Sequence, residues 1–352
     1  MQNLTRWTAA ITGAATLALG AAAFAQAPMR VVGNFSGNKI HVEEVERPFF
    51  QDLEKTMGMQ MVYNPMDAIG VNAADALRMI KSGSFDIMSV QIGMAARDDP
   101  FFEGIDLAGV AADLKSQRAA AKAFKPKMDE RLQKRFNAKL LTLWPFGPQM
   151  MFCNGDISSV DDLKGKKVRV FTASMSRLVE ALGATPVTLQ FSEVYLALQR
   201  GVADCGVTAP SAGNSGKWPE VTKVFVPLSL SYSVQGHLMN LDRWNSLTPD
   251  QQKTLQAKFD EMEARMWDIA ADYNDDAIRC NTGQQDCKHH GRYDMKLVDV
   301  GGKNRDRIVE LTNKVVLPPW AESCTRGYKE CVPVWNETVG KATGFSIAPP
   351  AK

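Results

Sequence analysis

Short apolar runs alternate with helical patterns along this chain, and that rhythm constrains its fold more than any other feature. Residues 164–204 carry the clearest case: a strand with Arg169 set between Val168 and Val170, then two helices that each lead into another strand. Upstream, 29–33, 59–63 and 85–90 read as strands, with helices over 41–57 and 72–81. Strands separated by helices argue for mostly parallel sheets covered on both faces. Ligands of such sheets sit beyond the carboxyl ends of the strands. The loops around Asn34, Met66 and Gln91 are therefore the ones to watch, and Asn34 and Gln91 are polar candidates for ligand contact.

The rhythm breaks where Pro145, Gly147 and Pro148 follow a strand read over 138–143, and the chain is expected to cross there into a second lobe. A charged helix is read from Lys125 and Pro126 to 135. The uncharged stretch 224–241 holds Pro227, Gly236 and His237, and reads as two buried strands broken by a turn, not as a membrane span. Thr248, Pro249 and Gln251 mark a helix start. Leu255, Phe259, Met262, Met266, Ile269 and Tyr273 then form one apolar stripe. Run to 279, this helix spans ~45 Å at ~1.5 Å per residue, enough for a strut across both lobes. The expected division is 26–146 with 234–274 in the first lobe, 147–233 with 275–340 in the second, and a flexible tail over 341–352.

Arg6, an uncharged run from Trp7 to Leu19, and Ala23 to Ala25 have the order of a cleaved secretory leader over 1–25. Removing 25 of 352 residues leaves 327, and removing Arg6 from 41 basic residues leaves 40 against 39 acidic ones. That balance provides no broad field for nucleic acid or a membrane surface, so any preference for anions has to be local. Six cysteines suit an oxidising compartment. Cys280 with Cys287, and Cys324 with Cys331, have the spacing of local staples; Cys153 and Cys205 either pair across the lobe hinge or are small buried residues. No metal site or cofactor loop is evident, and neither the serines nor the four histidines stand in a recognisable catalytic context.

Alternation places Arg169 on the strand face opposite Val168 and Val170. Near a strand end, a guanidinium can hold a carboxylate through two parallel hydrogen bonds; the competing reading is an exposed arginine or one paired with an acidic neighbour. Phe35, Trp144, Phe146, Phe171, Phe191, Trp218 and Tyr232 gather in the expected cleft loops, with Trp144 and Phe191 at strand termini. Such walls suit the apolar body of a small ligand. Met175, in the helix after the arginine strand, completes the aromatic and apolar set.

Residues 157–204 resemble the extracytoplasmic substrate-binding proteins of tripartite ATP-independent periplasmic (TRAP) transporters. The resemblance rests on Val160, Asp161, Asp162, Leu163, Gly165, Lys167 and Arg169, then Leu182, Gly183 and Pro186, then Phe191, Glu193, Tyr195, Gln199, Gly201 and Asp204. It implies a two-lobed α/β fold of the type II periplasmic-binding class that closes over an organic acid, with Arg169 on the ligand carboxylate. It also implies a monomeric periplasmic receptor without a cofactor, whose partners are the acid and the small and large membrane subunits of the transporter. The chain departs from the family pattern twice. Gln149 stands where some members carry a second arginine, and Thr208 stands where many carry a carboxylate-holding asparagine. A monocarboxylate with an apolar or aromatic body, such as a 2-oxo or 2-hydroxy acid, is therefore expected. A receptor for an ATP-driven importer or sensor, and a secreted organic-acid enzyme, are the competing functions.

Overall fold

The computed structural model describes residues 27–299 and 301–348. The leader read over 1–25 lies outside them. Strands β1 (Met29–Gly33), β2 (Met61–Pro65), β3 (Ile87–Gln91) and β4 (Ala138–Pro145) belong to one sheet. The chain then builds a second sheet from β5 (Met150–Cys153), β6 (Lys167–Val170), β7 (Thr185–Thr188), β8 (Cys205–Thr208) and β9 (Val224–Val226). Strand β10 (Val234–Asn240) returns to the first sheet, and the short β11 (Lys296–Leu297) edges the second. The orders are β2-β1-β3-β10-β4 and β11-β9-β5-β8-β6-β7. Within each, β1 pairs in parallel with β2 and β3, and β6 with β7 and β8, while β10 and β5 run antiparallel to their neighbours. The fold is thus α/β with two mixed-sheet lobes. Among the described residues no helix is long and apolar enough to cross a membrane.

The two crossings form a hinge. Leu230 and Ser231 exchange backbone bonds with Gln149, while Phe146 and Gly147 donate to the carbonyls of Ser233 and Tyr232. Gly147 is needed there: its φ is 128°, and a Cβ would lie 2.1 Å from Asn274 Nδ2. The buried Asp106 carboxylate accepts from the amides of Tyr232 (2.9 Å) and Val234 (3.3 Å) and from Ser231 Oγ (3.2 Å). Burial pushes this carboxyl up to about 7.

The lobes are shut against each other. Glu103 of the first lobe accepts from the Ser174 amide at 2.7 Å, at the start of the helix Ala173–Ala181 in the second. A Cβ on Gly93 would lie 2.7 Å from Thr172 Cγ2, across the same seam. The helix Pro249–Asn281 spans both lobes, as its stripe predicts. Near its middle, Trp267 Nε1 donates to the Leu143 carbonyl at 3.0 Å; near its end, Asn281 Nδ2 donates to the Pro210 carbonyl at 3.2 Å.

Several expectations need correction. The helix expected from Lys125 begins at Leu114, under an Asp113–Ser116 capping box, and runs through Pro126 to Phe136. Its buried face of Ala120, Ala121, Phe124, Met128 and Leu132 outweighs the one hydrogen bond that a proline forfeits. The C-terminal helices leave the second lobe near Leu317. Trp320 and Trp335 donate their indole N–H groups to Pro100 and Gly104 in the first lobe, each at 2.7 Å. The tail is docked at least to Ile347, which is 6% exposed and exchanges two hydrogen bonds with Asn336; residues 349–352 lie outside the described residues. All six cysteines pair, 153 with 205, 280 with 287 and 324 with 331. The first pair does not cross the hinge: Cys153 faces Cys205 in register on adjacent strands of one sheet.

Candidate functional site

Arg169 lies at 2% exposure on β6, facing the seam between the lobes. Its Nε and Nη2 donate to the Leu189 carbonyl at 3.1 and 2.9 Å, and Nη1 donates to the Val207 carbonyl at 2.8 Å. Both acceptors are neutral. No carboxylate of the described residues lies within ion-pair distance of it. Burial pulls the guanidinium down to about 9, with the more distant Glu193 opposing, so the group is still charged at neutral pH. A guanidinium has five N–H donors; three are used, and two remain. The cation sits 5.1 Å from the Phe171 ring centre and 5.7 Å from that of Trp218, whose faces partly compensate the lost water.

The hollow in front of Arg169 holds about 460 Å³ of unfilled space including its mouth, of which a water's centre can enter only about 30 Å³. Gln149, Arg169, Phe171, Phe191 and Thr208 line it from the second lobe, and Asn34, Phe35, Asn38, Gln91 and Gln235 from the first. Phe146 and Ser233 contribute from the hinge. Phe35 and Phe191 approach to 6.3 Å between ring centres across the seam, and a Cβ on Gly37 would lie 3.0 Å from Phe191. Closure and the aromatic wall are therefore one construction. A broader groove, of about 1720 Å³ of unfilled space by the same measure, runs outward and shares Phe171. Its Arg97 is already paired with Asp75 at 2.8 Å, and its Arg177 shares the groove with the carboxylates of Glu103 and Glu193.

Six of the expected ligand residues, Arg169, Gln149, Thr208, Phe191, Asn34 and Gln91, thus meet around one space. Gln149 Nε2 donates to the Gly147 carbonyl at 2.9 Å, and Gln91 Nε2 to Ser233 Oγ. The other four do not line it. Trp144 is fully buried, stacked on His41 at 5.6 Å with an interplanar angle of 10°; Phe146, two residues nearer the seam, takes the wall position. Trp218 lies behind Phe191, stacked at 5.4 Å. Met175 is buried on the inner face of its helix, where its amide donates to Thr172 Oγ1 at 3.2 Å. Tyr232 is spent on the hinge. Strand termini and loops locate a neighbourhood, but not which of several aromatics reaches the surface of the hollow.

The histidines also differ from expectation. His290 Nε2 lies 2.8 Å from Ser211 Oγ, and its Nδ1 lies 2.8 Å from Asp276 Oδ2, which is the connectivity of a hydrolytic triad. Ser211 is only 1% exposed, on the buried side of the first turn of the helix Pro210–Ser215, so a substrate carbonyl has no approach. Asp276 also accepts from the amides of Lys288 and His289, and the cluster serves to fix the 287–291 loop. Cys280, beside it, is committed to its disulfide and offers no thiolate to a metal.

Residues 28–287 match the bacterial extracellular solute-binding protein family 7, the DctP family. The chain belongs to that family. It is 29% identical over 182 residues to the C4-dicarboxylate-binding periplasmic protein DctP of Rhodobacter capsulatus, covering 51% of this chain and 54% of that protein. It is 28% identical over 167 residues to the sialic acid-binding periplasmic protein SiaP of Vibrio cholerae, covering 47% and 50%. This family 7 chain thus spans about half the length of the curated relatives it matches. DctP6 of Bordetella pertussis, an extracytoplasmic solute receptor binding pyroglutamic acid, superposes with a TM-score of 0.78 at 21% identity, covering 88% of this chain and 99% of that one. A TRAP periplasmic solute-binding protein from Desulfovibrio salexigens, with bound orotic acid, gives 0.77 at 17% identity, covering 90% and 99%. At these identities the likeness establishes the two-lobed fold.

Sequence reasoning missed Asn38, Ser233 and Gln235 as wall residues. Asn38 was within reach, four residues after Asn34 across the turn that follows β1. Gln235 was not, because only its strand's return from the second lobe sets it beside β3.

Proposed function

We propose that this family 7 protein is the periplasmic receptor of a TRAP transporter. It captures a small monocarboxylate with an apolar or aromatic body, such as a 2-oxo or 2-hydroxy acid, between its lobes and delivers it, as a monomer, to the small and large membrane subunits. One observation carries this reading: Arg169 is a buried cation held only by neutral carbonyls, with two N–H donors left and no acid beside it. A buried charge without a partner is costly, and a ligand carboxylate supplies the missing partner through both remaining donors. Gln149 adds no second charge to the same space, which favours one carboxylate over two. Phe35, Phe171 and Phe191 provide an apolar wall for the ligand's body. Solved neighbours bind pyroglutamic and orotic acid, each a ring bearing one carboxylate, although others hold malonate or succinate.

Mass spectrometry of the small molecules released by denaturing protein taken from its native compartment tests the reading. The expected result is one organic acid with a single carboxylate. A dicarboxylate bound far more tightly than matched monocarboxylates overturns it. Genes for a small and a large membrane subunit beside this one would support the transporter assignment, and an ATPase gene there would count against it.

A further inference from the structure

The first-lobe wall carries three buried polar atoms with no hydrogen-bond partner in the protein: Asn34 Nδ2, Asn38 Oδ1 and Gln235 Oε1. All three residues line the hollow that Arg169 faces. Buried polar atoms are rarely left unpaired, and the identity of these is not arbitrary. Asn34 Oδ1 accepts from the Phe35 amide and from Asn38 Nδ2, each at 2.8 Å, so the atoms left unpaired are the N–H₂ group of Asn34 and the carbonyl of Asn38. Glu46 fixes the third. Its carboxylate, fully buried and held ionised, can only accept, and Ser89 Oγ lies 2.6 Å away. The Ser89 hydroxyl proton is therefore committed to Glu46. Ser89 Oγ must then accept from Gln235 Nε2, at 2.9 Å, leaving Gln235 Oε1 turned outward. The same carboxylate accepts from the Asn34 amide and from Tyr63 OH, each at 2.8 Å. His237 Nε2, 3.3 Å from Oε1, is close enough for attraction but misaligned for a hydrogen bond.

Resting on the monocarboxylate reading above, we infer that Asn34, Asn38 and Gln235, oriented by Glu46 through Ser89, select a ligand whose second pole is uncharged and offers two donors and one acceptor. A primary carboxamide, or a pair of hydroxyls, fits that pattern. A second carboxylate does not, because it has only acceptors and would face two carbonyl oxygens. Sites built to pair a polar group reject analogues that cannot pair it, since the wall atoms then stay unsatisfied.

Calorimetry at pH 7 with three matched pairs tests this: malonamate against malonate, succinamate against succinate, glutaramate against glutarate. In the pair that fits the hollow, the monoamide binds at least about tenfold more tightly than the diacid. Ser89→Ala, which frees the Gln235 amide to turn over, brings that ratio close to one while affinity for the apolar monocarboxylate of matching length (3-methylbutanoate, 4-methylpentanoate or 5-methylhexanoate for the malonamate, succinamate or glutaramate pair) is retained. Gln235→Met has the same effect and covers the case in which Ser89→Ala fails to fold. Acids that bind through Arg169, with every diacid equal to or tighter than its monoamide, overturn the inference and leave the carboxylate reading intact. If none of these acids binds, the carboxylate reading itself falls, and this one with it.

Discussion

Replacing Arg169 with methionine separates binding from folding, because the two respond to different parts of the same side chain. In the ligand-free protein the guanidinium is destabilised by burial. Its shift from 12.5 to about 9 corresponds to about 5 kcal/mol at 1.36 kcal/mol per pH unit. Methionine removes that cost, but strands the carbonyls of Leu189 and Val207, each worth about 1–3 kcal/mol when left unpaired. The two effects oppose each other, and the net change in unfolding free energy lies between a loss of about 1 and a gain of about 3 kcal/mol. Binding has no such compensation. Truncating one partner of a buried, hydrogen-bonded ion pair costs about 2–5 kcal/mol, or roughly 30- to 4000-fold in Kd. Arg169→Lys keeps the charge but cannot serve both carbonyls and still offer two parallel donors, so its loss falls between the parent and Arg169→Met. Calorimetry with the released acid measures the affinities, and denaturant unfolding of the ligand-free proteins measures the stabilities. Because the pair is buried, parental affinity changes little with ionic strength, and because the cation persists to about 9, it is flat between pH 6 and 8. An Arg169→Met protein that folds and binds within threefold of the parent would refute the argument.

Two further outcomes follow from the fold. Cys153 and Cys205 enclose a sequence separation of 52 residues, so a double alanine variant loses about 4 kcal/mol in denaturant unfolding by loop-closure entropy; an unchanged midpoint would show the bridge to be dispensable. His41, buried against Trp144 and Phe146, is held down at about 4 by burial. The unfolded ring takes up a proton near 6.5, so this contribution to stability is complete above that pH and falls by about 3 kcal/mol on acidification to 4. His41→Phe should remove that loss, and parallel unfolding curves at pH 7 and 4 would reveal an unaltered difference if the reasoning fails.

The readable parts of this protein were those set by near neighbours in the chain. The alternation around Arg169 fixed its strand and face. The cap at Thr248 and the stripe from Leu255 to Tyr273 fixed the long helix, and the seven-residue spacings of Cys280–Cys287 and Cys324–Cys331 fixed two of the three bridges. Period and capping are local physics, expressed within a few residues. Which atoms meet across the seam is not local. β10 inserts antiparallel between β3 and β4, and only that placement brings Gln235 to Ser89 and Glu46, 146 and 189 positions earlier in the chain. The same packing put Phe146 in front of Trp144, hid Trp218 behind Phe191, and carried Trp320 and Trp335 back to the first lobe. A sequence can specify that a side chain is aromatic, or that an amide stands near a strand; which of its faces is left over is decided only when every competing donor, acceptor and ring has found its partner in three dimensions.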